Sequence, residues 1–236
     1  MTAAKDLCFA NLNTLCQTLN LKDISKEQKG FGPLVNPASQ LTVGDAKVFG
    51  NGKVRLVYVG LAVEAFMLDS HMLFAFTDKH SSAPHFTVDS VKVGESFAFH
   101  LDLIPKKDLG ANYTYLKNVY RPLNETFSEA SKIPGLSPAH ITPEQRAIMS
   151  PWMLVNRANT EAFDRMGSVV DSYLQHWLKL VDSPEFVDGG EGAVARDRAH
   201  RDLLFSPEID PVWNQIEKTI GPETGKNIRD ALKQIH

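Results

Sequence analysis

Between Leu41 and Asp102 the chain shows almost no helical periodicity and is rich in β-branched and aromatic residues. It is interrupted only by short turn-forming stretches at Gly50-Asn51-Gly52, Lys79 to Pro84 and Lys92-Val93-Gly94. Such a segment reads as an antiparallel meander. Ahead of it, Leu7, Leu12, Leu15, Cys16 and Leu19 mark an amphipathic helix over Lys5 to Leu19, and the polar stretch Lys22 to Gln40 reads as a long loop. Behind it, from Pro105 onward, Pro-flanked turns alternate with helices. The clearest helix spans Asn159 to Val181, with Phe163, Met166, Val170, Tyr173, Leu174, Trp177 and Val181 in one stripe and Asn159 or Thr160 as its cap. Gly189 to Gly192 marks a flexible connection, followed by a polar helix near Ala193 to Phe205 and a last one from Pro222 to Ile235. The expected fold is α+β: a central antiparallel sheet with helices on both faces, in one domain over 1–236.

The formal net charge of -3 argues against a dedicated nucleic-acid binder, which needs a clustered excess of Lys and Arg. Cys8 and Cys16 share a helix face without being able to bridge, so free thiols and a reducing compartment are expected. No apolar run approaches the roughly 18 residues of a membrane span. The first residues lack a signal or Arg-rich transit character, which points to a cytoplasmic protein, or a plastid stromal one if this is a processed form. The sequence carries no GxGxxG, GxxxxGK[ST] or GxSxG, and no HExxH or CxxC, so nucleotide, serine-hydrolase and metal chemistry lack support.

Strand phase is more informative, because successive side chains point to opposite faces. In Ser96 to Leu103, the residues Phe97, Phe99, Leu101 and Leu103 take one face and Ser96, Ala98, His100 and Asp102 the other. His85, Thr87 and Asp89 are in phase, and Asp69 and His71 oppose Leu68, Met72, Phe74 and Phe76. Turns near His80 and at Lys92 to Gly94 place His71 close to Asp89 and His85 close to Asp102, with Glu64 reaching the same rim. The alternation alone fits either a sheet with one face in water or a covered polar cavity. His and Asp with small residues, in place of Lys, Glu, Thr and Arg, and enough helix to cover both faces favour the cavity, where a His beside an Asp suits proton transfer.

The segment Ser81-Ser82-Ala83-Pro84-His85-Phe86, then Leu101 to Leu109 (Leu-Asp-Leu-Ile-Pro-Lys-Lys-Asp-Leu), Tyr115-Leu116 and Tyr120, resembles the signature of red chlorophyll catabolite reductases. Glu208-Ile209-Asp210 and Ile220-Gly221-Pro222-Glu223 are similar to that family's C-terminal motifs. The resemblance extends to the related ferredoxin-dependent bilin reductases and runs from about Val54 to the C-terminus. It implies an α/β/α sandwich, a pocket between the sheet and the C-terminal helices, and no bound organic cofactor or metal. Electrons would come singly from reduced ferredoxin, and the protein would supply protons to a linear tetrapyrrole.

Residue by residue, His71 in Ser70-His71-Met72-Leu73 lies where bilin reductases carry a proton-donating histidine, and Asp89 at their central aspartate. The catabolite reductases tend to have Glu at the latter place and to lack the histidine, which tilts the substrate toward biliverdin or a related bilin. Asp89 is then the expected main proton donor, tuned by burial and by His71. Asp210 is the second carboxylate near substrate or else a helix cap. Glu64, His85 and His100 are expected to line the pocket, and Asp102 to be structural. An acidic ferredoxin would dock on basic side chains near the pocket mouth. Lys106, Lys107, Lys117 and Arg121 are the first candidates, and Arg196, Arg198 and Arg201 the second.

Overall fold

In the computed structural model, which describes residues 3–236, the meander is the centre of a nine-stranded antiparallel sheet. Its strands are β1 (Lys22–Asp23), β2 (Gly32–Val35), β3 (Thr42–Gly50), β4 (Val54–Val63), β5 (Leu68–Thr77), β6 (His85–Val93), β7 (Ser96–Ile104), β8 (Leu136–Pro138) and β9 (Leu154–Ala158). They run in the order β1-β3-β4-β5-β6-β7-β9-β8, with β2 also paired to β3. The helices are α1 (Ala3–Thr18), α2 (Tyr113–Tyr115), α3 (Asn124–Ala130), α4 (Pro143–Ala147), α5 (Thr160–Asp164), α6 (Met166–Val181), α7 (Ala193–Leu204), α8 (Val212–Ile220) and α9 (Pro222–Lys233).

Each face of the sheet carries its own core, which makes the α/β/α sandwich. On one face α1 and α6 lie over β5, β6 and β7. Leu12, Leu15, Phe86, Val88, Leu101, Tyr173 and Trp177 are buried between them. On the other face Leu204, Phe205, Trp213, Ile216 and Ile228 of α7 to α9 and their connections cover Val57, Val59, Met72, Phe74 and Phe76. Burial of several such side chains, each contributing about 1.5–3 kcal/mol, clamps the sheet from both sides. β5 and β6 therefore alternate between two apolar layers instead of between core and solvent, and their polar residues are enclosed.

Several elements differ from the sequence expectation. The stretch from Lys22 to Gln40 is not all loop, because β1 and β2 pair with the edge of β3. The helix expected over 159–181 is broken at Arg165 into α5 and α6, with Asn159 capping the first through its side chain. Strands β8 and β9 were not anticipated. They extend the sheet beyond β7, and β9 brings Val155 beside His100.

Candidate active site

The register of β5 to β7 sets the site. Met72 faces Asp89, Thr87 faces Asp102, and Asp89 faces His100. The phases read from the sequence hold, but the pairing is shifted from the expected one, and the partner of Asp89 is His100. Their side chains meet at 3.2 Å, His100 Nδ1 donating to Asp89 Oδ2. Both line a cavity of about 230 Å³ between the sheet and the α7–α8 region. Its floor is Ser70, Met72, Phe74, Val91, Ala98 and Val155, and its roof includes Met149, Phe205 and Trp213.

Two atoms in this pair have no partner. Asp89 Oδ1 and His100 Nε2 are both buried and lack any hydrogen bond among the described residues. Buried polar atoms are nearly always satisfied, so an unpaired acceptor and an unpaired imidazole nitrogen side by side in a cavity mark a place where a ligand completes the bonding. Burial acts to lower the His100 pKa, but the Asp89 carboxylate, with Asp102 and Asp210 further off, outweighs it and holds the imidazole above its ordinary value. Asp210 also lines the cavity. It accepts the Val212 backbone N–H at 3.0 Å, which ties its side chain to the first residue of α8, whose N-cap is Pro211. Burial raises its pKa, and Asp89 adds to the shift.

The remaining expected residues lie elsewhere. His71 pairs with Ser90 and points to the opposite face, beneath α1. The expected contact with Asp89 is therefore absent, because the two residues occupy opposite strand phases. A carboxylate can only accept, so His71 Nε2 carries a proton for Asp69 at 2.9 Å and Nδ1 accepts the Tyr58 hydroxyl at 2.7 Å. Glu64 is exposed in the turn between β4 and β5 and does not line the cavity, since β4 ends at Val63 before it could enter.

His85 lies at the far end of β6 and faces Ile104, not Asp102. Its Nε2 donates to Asp197 at 2.9 Å and its Nδ1 accepts the Thr77 backbone N–H at 3.1 Å. Asp102 is held by the backbone N–H and the hydroxyl of Ser150, which fixes the segment that carries Met149.

The basic residues also redistribute. Lys106 is buried, donates to the Asp78 carbonyl at 2.7 Å and lies 3.5 Å from Asp197. Burial lowers its pKa to about 8. It cannot form a docking surface, and neither can Arg201, which is fully buried against Asp197. Lys117 and Arg121 belong to the irregular helical segment that follows α2 and packs on the α1 and α6 side, away from the cavity. Lys107 and Arg196 do converge, with Arg146 and His200, around an outer basin of about 550 Å³. Met149 lines both this basin and the inner cavity. Sequence reasoning missed Asp197 altogether; its i,i+4 spacing to Arg201 was the available signal. Among the described residues no group of three or more His, Cys, Asp or Glu could hold a metal ion, and no helix is long and apolar enough to cross a membrane.

This sandwich, with its cavity on one side of the central strands, is the fold of the bilin reductases. The structure is similar to that of phytochromobilin synthase from tomato in complex with biliverdin, with a TM-score of 0.79 at 20% identity over 97% of this chain and 82% of that one. Residues 61–183, just over half of the chain, match the model of red chlorophyll catabolite reductase (RCC reductase), and the chain belongs to that family. No curated protein sequence matches it.

Proposed function

We propose that this protein reduces an open-chain tetrapyrrole, a bilin of the biliverdin type, with electrons delivered singly by reduced ferredoxin and protons supplied by its own side chains. The observation that carries this reading is the Asp89–His100 pair, whose Oδ1 and Nε2 are buried without partners in the cavity. A ring nitrogen N–H and a lactam carbonyl, the polar edge of a linear tetrapyrrole, are the donor and acceptor that these atoms lack. The likeness to a bilin reductase solved with biliverdin supports the same substrate class.

Each two-electron reduction consumes two electrons and two protons. Because Asp89 holds the Nδ1–H of His100, the proton that comes and goes is the one on Nε2. The imidazolium form, favoured by Asp89, donates that proton to the reduced tetrapyrrole. Asp210, on the same cavity and with a raised pKa, is placed to supply a second. His71 takes no part in this scheme, being on the other face. For the electron donor, Lys107, Arg146 and Arg196 form the cationic basin that an acidic ferredoxin would favour, one methionine side chain away from the substrate.

The family match favours a second reading in which the substrate is red chlorophyll catabolite. Anaerobic incubation with a reduced-ferredoxin regenerating system and each substrate in turn decides. Loss of biliverdin absorbance into a new bilin, slowed by about 10²–10⁴-fold in Asp89→Asn and His100→Gln, is the expected result. Conversion of the chlorophyll catabolite alone would establish the second reading, and binding without conversion of either would leave a tetrapyrrole carrier.

A further inference from the structure

Three buried side-chain atoms without a partner among the described residues lie on one face of two neighbouring strands. Asp89 Oδ1 and His100 Nε2 are two of them, and the third is the hydroxyl of Thr87. Thr87 precedes Asp89 by two residues on β6, so both leave the same face of the sheet. It faces Asp102 across β6 and β7, as Asp89 faces His100. Of these four residues only Asp89 and His100 line the cavity. Thr87 and Asp102 lie behind them, fully buried.

An unpaired hydroxyl in a core is destabilising, and valine has its shape without that penalty. A hydroxyl can donate and accept at once, which suits it to passing a proton on. Asp102, opposite Thr87, is a buried carboxylate that pairs with no Lys or Arg among the described residues. Its oxygens accept from Ser150, the backbone N–H at 2.9 Å and the hydroxyl at 2.5 Å. Ser150 stands between Met149 and Pro151, which both line the outer basin. Polar groups thus run in one line from basin to cavity, through Ser150, Asp102, Thr87, Asp89 and His100. The strands on either side present Met72, Phe74 and Val155. His85, the next residue on this face of β6, does not extend the line, because Asp197 and Thr77 occupy both its ring nitrogens.

The reaction proposed above spends the proton of the Asp89–His100 pair at every reduction, and with substrate over Oδ1 and Nε2 the cavity side is covered. We infer that Ser150, Asp102 and Thr87 relay protons from the basin to this pair from behind, with one water joining Thr87 to Asp89. The inference rests on the tetrapyrrole reading and adds to it a supply route that the substrate does not touch. Each hydroxyl accepts one proton as it releases its own. A proton from solvent enters at Ser150, passes to Asp102, to Thr87 and through the water to Asp89, and the pair regains the one it gave up. No electron moves along this line. Burial raises the Asp102 pKa to about 6, so its carboxyl takes up and releases a proton readily near neutral pH. The three residues touch no reacting atom, and they act by recharging the pair that does.

The test is Thr87→Val, which keeps the shape of the side chain and removes only the hydroxyl. A purely structural Thr87 would leave this variant at least as stable as wild type and equally active. The relay predicts a kcat lower by at least about ten-fold with KM unchanged, measured anaerobically with reduced ferredoxin and the tetrapyrrole that wild type reduces. The first turnover after mixing should keep the wild-type rate, because the pair is already charged. Later turnovers should recover when imidazole is added as a small diffusible acid, since it reaches the pair through the cavity between substrates. Thr87→Ser should behave as wild type, and Ser150→Ala should be slowed and rescued like Thr87→Val. Full activity in Thr87→Val, or a loss that Thr87→Ser shares or that imidazole does not lift, overturns the relay alone. If wild type reduces no tetrapyrrole, the reading beneath the relay falls with it, which is distinct from the other outcomes.

Discussion

His71 pairs with Ser90 across β5 and β6, so its imidazole and the carboxylate of Asp89, one residue earlier on β6, leave the same sheet from opposite faces. The two residues therefore have separable roles. Asp89→Asn leaves the hydrogen-bonding shape of the side chain but cannot hold His100 as a cation, and turnover should fall by about 10²–10⁴-fold with little change in stability. His71→Gln removes a buried group bonded to both Tyr58 and Asp69, and should cost roughly 2–3 kcal/mol of stability. Its turnover per folded molecule should be close to wild type. Urea melts and turnover measured on the same preparations separate the two, and a His71→Gln enzyme that is stable but inactive would contradict this division.

The raised His100 pKa predicts a pH profile. The imidazolium is the donating form, so kcat/KM should be level at acidic pH and decline as pH rises through a value above the ordinary ~6.5 of histidine. In stability terms the same shift is favourable below about 6.5 and its contribution is lost as pH rises through the folded value. His100→Gln should lack the alkaline limb altogether. A residual limb at an unchanged position in that variant would assign it to another group.

The fold was legible because the meander and the amphipathic stripes are each local patterns, and Phe97 to Leu103 against His100 and Asp102 gave the two faces correctly. Register was not legible, since it depends on where each turn closes. A small shift in the β5–β6 and β6–β7 pairings was enough to replace the Asp89–His100 contact with an expected Asp89–His71 one. Strand β9 was invisible for a different reason: five residues, Leu154–Ala158, are too few to show a period. Lys106 shows the limit of reading charge as surface, because only the tertiary structure encloses it with Asp197.

Gly60 is positioned by close approach. It pairs with His71, and a Cβ there would overlap the Tyr58 hydroxyl and lie 2.9 Å from His71 Nδ1. Neither ring can withdraw, as both are buried and bonded to each other. Gly60→Ala should therefore break the Tyr58–His71 hydrogen bond and cost about 2–3 kcal/mol, seen as a lowered urea midpoint. Pairing Gly60→Ala with Tyr58→Phe, which removes the clashing hydroxyl, should recover part of the loss. If Gly60→Ala alone is neutral, the Tyr58 and His71 rings have room to shift beneath α1.

The buried cluster of His85, Asp197, Arg201 and Lys106 governs the response to acid. Burial lowers the His85 pKa to about 3, although Asp197 pulls the other way. Burial would by itself raise the Asp197 carboxyl, but His85 and Arg201 reverse this and hold it far below the usual carboxylate range. For a histidine whose folded pKa lies below its unfolded value of ~6.5, the unfolded chain takes up the proton first. Stability is then complete above about 6.5 and is lost as pH falls toward 3, at up to ~1.4 kcal/mol per pH unit. His71, His176, His200 and His236, whose pKa values burial also lowers, add to the loss, whereas His100 opposes it between its raised value and 6.5 and Asp102, raised by burial to about 6, opposes it as pH falls toward that value. Urea unfolding at pH 7.5 and 5.5 should show a fall of at least about 1 kcal/mol, steeper in His100→Gln. Asp197→Asn, which leaves Arg201 and Lys106 enclosed without their counter-charge, should lose about 3–5 kcal/mol already at pH 7.5. A wild-type stability that is flat over this pH range would mean that His85 takes up its proton inside the folded protein, with Asp197 as its charged partner.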